Sequence, residues 1–88
     1  MRLRAPNGDL NQISSRVKER RREQKMTQEE LCARIAFVTD GKWNADRQEL
    51  VRIESGGRTV SDVELVALAS ALECSPCWLL LGVGQPQP

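Results

Sequence analysis

The stretch Met26-Thr27-Gln28-Glu29-Glu30-Leu31-Cys32-Ala33-Arg34-Ile35 carries both a helix start and a buried face. Threonine followed three residues later by glutamate is a capping box. The hydroxyl accepts one free backbone N–H of the first turn, and the carboxylate reaches back to accept another. Leu31 and Ile35 stand four apart and therefore share one side of a helix. The spacing predicts a helix that opens after Thr27 and turns Leu31 and Ile35 inward.

Working outward, the same start signal recurs. Asp9…Gln12, Asp46…Glu49 and Ser61…Glu64 have capping-box spacing, and Ser75-Pro76 is a cap followed by proline at the first helical position. The first three of these starts are followed by apolar residues at helical intervals: Ile13 and Val17, Leu50 and Ile53, then Leu65, Leu68, Ala69 and Leu72. Gly56-Gly57 and Gly82 are stop signals. Alternating strand patterns are lacking. The expected fold is all-α, five short helices around one core over residues 9–82, with a flexible N-terminus (1–8) and a flexible tail (83–88).

A chain of 88 residues has room for one core. With 40% hydrophobic and 28% charged residues, its balance is that of a globular chain. Apolar runs such as Trp78 to Leu81 are too short to cross a bilayer, and the charged start lacks the apolar segment of a secretory signal. A cytoplasmic protein without a membrane partner is expected.

Histidine is absent. That removes Ser-His and Cys-His pairs and imidazole metal ligands. So short a chain also has little space for a substrate cavity of roughly 300 Å³ beside its core. Neither an enzyme nor a small-molecule substrate nor a cofactor is expected.

Cys32, Cys74 and Cys77 are an odd set, which argues against a disulfide framework. Cys74-Ser75-Pro76-Cys77 has the spacing of a redox or zinc half-site. The strand context of a redox motif is missing, and one chain cannot supply four zinc ligands, although two chains could pool four cysteines. Core packing is the favoured reading for Cys32 and Cys74, and core or dimer contact for Trp78.

Net charge is only +1, but it is unevenly spread. Residues 1–36 carry nine basic and five acidic side chains, residues 37–59 four of each, and residues 60–88 three acidic ones and no base. A basic end and an acidic end suit an oriented encounter with an anion. The competing reading makes Arg16 to Lys25 a plain solvated helix face.

On a helical wheel, Leu50 and Ile53 set the inward direction of the third helix. Val51, Ser55, Gln48 and Arg52 fall opposite, with Arg47 at their edge. These residue types read base edges: arginine pairs with guanine, glutamine with adenine, and valine touches the thymine methyl. Glu54 lies on the flank, available to a neighbouring helix.

Residues 13–35 resemble the first two helices of the phage-repressor/Cro-type helix-turn-helix family. Arg52-Ile53-Glu54-Ser55-Gly56 is similar to the end of its recognition helix. The segment from Ala67 to Leu72, with Trp78-Leu79-Leu80-Leu81-Gly82, is similar to its fourth and fifth helices. The resemblance implies a prophage or bacterial regulator that binds a double-stranded DNA operator as a homodimer. It implies base contacts from Arg47, Gln48, Val51 and Arg52, phosphate contacts from Thr27, Gln28, Lys42 and Arg58, and an Arg21–Glu54 ion pair joining the first and third helices.

One departure stands out. The compact turn of the motif is enlarged by Phe37-Val38-Thr39-Asp40-Gly41-Lys42-Trp43-Asn44-Ala45. These residues are expected to form a loop, with a local turn at Asp40-Gly41 and with Phe37, Val38, Trp43 or Ala45 covering the core. The long loop and modest net charge also suit a second reading, a helix-turn-helix module that binds protein, as an antitoxin or adaptor does.

Overall fold

The computed structural model describes residues 3–86. Four of the five expected caps form. Thr27 and Ser61 each close a full capping box with Glu30 and Glu64, Asp46 accepts the N–H of Glu49, and Ser75 accepts those of Cys77 and Trp78. Behind these caps run α2 (Gln28–Val38), α3 (Arg47–Ser55), α4 (Asp62–Ala71) and α5 (Pro76–Leu81). With α1 (Ser14–Glu23) they make an all-α domain, and the described residues include no strand.

The exception is the first start. Asp9 does not cap α1, whose N-cap position is held by Ile13 without a side-chain bond. Residues 5–9 instead close a tight turn, in which the Ala5 N–H bonds to the Asp9 carbonyl and the Asp9 N–H to Asn7 Oδ1. That turn uses the backbone a helix would need. The Asp9 carboxylate accepts the Ser14 hydroxyl at 3.0 Å, and buried Asn11 accepts the Ile13 N–H. Asn11 also donates to the carbonyls of Ile53 and Arg58, tying the approach to α1 to the end of α3.

Leu10 N–H bonds to Gly56 O. Within the two ends expected to be flexible, the Gly8 N–H bonds to Ala5 O at 2.8 Å, and Pro86 O accepts the Ser75 N–H at 2.7 Å. Residues 1, 2, 87 and 88 of those two segments lie outside the described residues.

Val17 from α1, Leu31 and Ile35 from α2, Leu50 and Ile53 from α3, Leu68 and Leu72 at α4, and Leu79 from α5 form the fully buried centre. α1 packs on α3, α2 on both α3 and α4, and α4 on α5. Two arginines of α1 hold the far side. The Arg20 guanidinium donates to the carbonyls of Leu72 and Glu73, just past α4, and Arg16 donates to those of Leu79 and Leu80 in α5. Carbonyls at a helix end have no partner within the helix, and a cation there also meets the negative end of the dipole. The basic run of α1 is therefore not a uniformly solvated face.

The enlarged turn differs from expectation in two ways. Phe37 and Val38 belong to α2, so the loop is 39–46. Ala45 is buried and Trp43 packs partly against the core, but Phe37 is 85% exposed and Val38 stands at the surface. Extending α2 by a turn carries Phe37 about 140° away from the Leu31–Ile35 side. Thr39 organises the loop that follows, accepting the Trp43 N–H and donating to Ile35 O. Asp40 and Gly41 both take left-handed backbone in the expected turn.

Gly56 ends α3 with φ near 80°, and a Cβ there would strike the Asp9 carboxylate. Gly56→Ala should destabilise the domain by about 1–3 kcal/mol, read as a lower urea midpoint. Gly57→Ala, where a Cβ meets nothing closer than 3.5 Å, should cost much less.

Candidate nucleic-acid interface

α3 separates its faces by helical period. Leu50, Ile53 and Glu54 are buried, while Arg47, Gln48, Val51, Arg52 and Ser55 are exposed. Glu54 is the unusual member of the inward set, with a side chain only 2% exposed. Arg21 of α1 grips it through two bonds, Nε to Oε2 at 2.7 Å and Nη2 to Oε1 at 3.1 Å. This fork geometry matches a carboxylate's two oxygens. Arg21 also donates to Met26 O, fixing the turn before α2, and its hydrogen bond to Glu54 holds its guanidinium above its ordinary pKa.

A chain of contacts continues outward from this pair. Gln28, the first residue of α2, donates its amide to Glu54 Oε1 at 3.2 Å and accepts Arg47 Nε at 3.2 Å. Arg47 lies 3.6 Å from Glu29 and remains 66% exposed. Three helices are thus linked from a buried carboxylate to a surface guanidinium. Gln48, Val51 and Arg52 share that surface, beside the N-terminus of α2. There Thr27 caps the N–H of Glu30, leaving those of Gln28 and Glu29 outside the helix's own ladder. Lys42 is exposed on the loop leading to α3.

Arg58, expected at a phosphate, has a side chain 17% exposed and already engaged within the chain. It donates to Glu64 at 3.0 and 2.8 Å, to Glu49 at 3.0 Å and to Thr59 O at 2.8 Å, and lies 5.9 Å from the centre of the Trp43 ring. Arg58 clamps the loop, α3 and α4 together. Glu49 consequently leaves the Asp46 capping box half-formed. Local spacing could not show this, because a glutamate three residues after a cap signals only its backbone bond. Nor does any spacing signal Glu29 as the neighbour of Arg47.

The cysteines do not converge with the charged groups. Burial pushes the Cys74 and Cys32 thiols up, away from the reactive thiolate, while Cys77 is exposed on the first turn of α5. Among the described residues there is no cluster of three or more metal-ligating side chains.

No family model, curated protein or solved structure matches this chain.

The Arg58 clamp sets a pH dependence. Its hydrogen bonds hold the Glu64 carboxyl below the usual range, so the stabilisation is complete above the unfolded carboxylate's pKa. It is lost as pH falls through the lower, folded-state value. Urea melts should show the Glu64→Gln variant less stable than the parent at pH 7, with the gap closing towards pH ~3. A constant gap would mean that Glu64 acts through packing and not through charge.

Proposed function

We propose that this protein is a sequence-specific DNA-binding regulator that lays α3 in the major groove. The observation that carries this reading is the outward set on α3. Arg47, Gln48, Val51 and Arg52 protrude from one exposed face while Leu50, Ile53 and Glu54 anchor its back. Only Val51 in that set is apolar. A face that docked on protein would be expected to carry a larger apolar centre, so its composition favours a nucleic acid.

In this reading Arg47 and Arg52 donate paired hydrogen bonds to guanine, Gln48 pairs with adenine, and Val51 meets a thymine methyl. Gln28 and Thr27, at the start of α2, contact phosphate together with the free N–H groups there, and Lys42 adds a charge from the loop. Arg58 is left out, since its donors are engaged within the chain. Arg47 has to exchange Gln28 and Glu29 for a base, which is a small cost because both contacts are solvent-exposed. The regulator acts in the cytoplasm as a homodimer on a two-fold operator, with half-sites roughly 34 Å apart. Among the described residues no helix is long and apolar enough to cross a membrane.

Selection from a randomised duplex library at about 100 mM salt tests the proposal, because sequence-independent binding weakens as salt rises. Enrichment of a two-fold symmetric site is the expected result. Failure to enrich any sequence at micromolar protein would contradict it. On the selected site, Arg47→Ala and Arg52→Ala should each lose about 1–3 kcal/mol of base discrimination with helicity unchanged. Gln28→Ala should weaken binding to all sequences alike.

A further inference from the structure

The two arginines on the outward face of α3 stand in different electrostatic settings. Arg52 enters no ion pair among the described residues, whereas Arg47 Nε lies 3.6 Å from Glu29 Oε2. Glu29 is the second residue of α2, and both side chains are exposed, so a ligand that reaches Arg47 also meets Glu29. The fold itself gives Glu29 no task. Thr27 and Glu30 complete the capping box without it, and among the described residues its carboxylate has no other ion pair. Burial raises the Cys32 thiol first, and the charges of Asp46, Glu29, Glu49 and Glu54 add to it, so four carboxylates surround the junction of α2 and α3. Three of them are occupied within the chain: Asp46 caps α3, Arg58 holds Glu49 and Arg21 holds Glu54. Glu29 faces only Arg47.

We infer that Glu29 is a specificity-determining residue, which bars Arg47 from DNA phosphates while leaving it free for a guanine edge. The inference rests on the reading of α3 as the recognition helix. Arg47 is hydrogen-bonded to Gln28, which that reading places at a phosphate, so phosphate is the nearest wrong ligand for the arginine. Guanine offers Arg47 two neutral acceptors, O6 and N7. A phosphate offers a full negative charge. Turning to either ligand breaks the same contacts with Gln28 and Glu29, so that cost cancels between them. The charge left behind does not cancel. Glu29 repels an anion held by Arg47 and is nearly indifferent to a neutral base edge. For unit charges about 6 Å apart at the protein surface, the repulsion corresponds to roughly three- to tenfold in affinity. Sequence-independent binding consists of phosphate contacts, so the penalty falls there. Glu29 thus gives up total affinity for DNA and widens the ratio between the right site and all others.

Fluorescence anisotropy of the full chain tests this, with the selected duplex and a random-sequence duplex of equal length, each titrated at several salt concentrations. Glu29→Gln should bind the random duplex roughly three- to tenfold more tightly, with a salt slope steeper by about one, because Arg47 then holds a phosphate. Its affinity for the selected duplex should change less than about twofold, so the ratio between the two sites narrows. In an Arg47→Ala background, Glu29→Gln should leave random-duplex binding unaltered. Glu19→Gln makes the same change of charge at an exposed position on α1 and should preserve the parent's ratio. An equal rise on both duplexes would overturn the inference, since Glu29 would then act as general negative charge. So would a loss of affinity for the selected duplex, or a rise on the random duplex that persists without Arg47. The two failures are distinguishable. A parent that prefers no sequence removes the recognition role of α3 and the role of Glu29 with it. A parent that discriminates, with a Glu29→Gln variant that keeps its ratio, removes only the role of Glu29.

Discussion

A carboxylate almost completely removed from water sits at the back of α3, and the arrangement of the domain depends on how its charge is met. An isolated buried carboxylate would be strongly unfavourable. Glu54 escapes that cost because Arg21 meets both of its oxygens and Gln28 adds a third hydrogen bond. Removing one partner of such a pair costs about 3–5 kcal/mol, since the remaining charge has nowhere to go. The energetic stake is in orientation. With Glu54 fixed to α1 and α2, α3 cannot roll, and its opposite side has to face outward.

The arginines then divide into two classes. Arg16, Arg20, Arg21 and Arg58 each bind carbonyls or carboxylates within the chain. Arg47 and Arg52 stand exposed on α3. The division explains how a chain of net charge +1 can present a basic reading face. Near the N-terminus Arg16, Arg20 and Arg21 are engaged inside the fold, and the charge on α3 points outward. It also gives Arg58 to the junction of loop, α3 and α4.

What could be read from the sequence was what local geometry fixes. Thr27, Asp46, Ser61 and Ser75 cap helices because the cap and its partner lie within one turn, and the outward face of α3 follows from helical period alone. Asp9 has the same spacing as the true caps, yet Asn7 and the Asp9 backbone close a competing turn, and spacing cannot rank the two. The Arg21–Glu54 pair spans 33 positions and came from family resemblance, not from pattern. The duties of Arg16 and Arg20 depend on where α4 and α5 end in space, which no local signal records. Trp43 and Ala45 cover the core as expected, but Phe37 does not, for a related reason. An aromatic residue in an insertion suggests cover for the core, but continuing α2 through it rotates it to the surface.

The account requires that one class of arginine meets the ligand and the other does not. Side-chain NMR of the arginine Nε–H groups, followed while a selected duplex is added, separates them in a single titration. The account predicts that Arg47 and Arg52 shift, while Arg16, Arg20 and Arg58 keep their positions. Shifts at Arg58 or Arg16 with Arg47 and Arg52 unmoved would contradict it, because the recognition surface would then lie elsewhere than on α3.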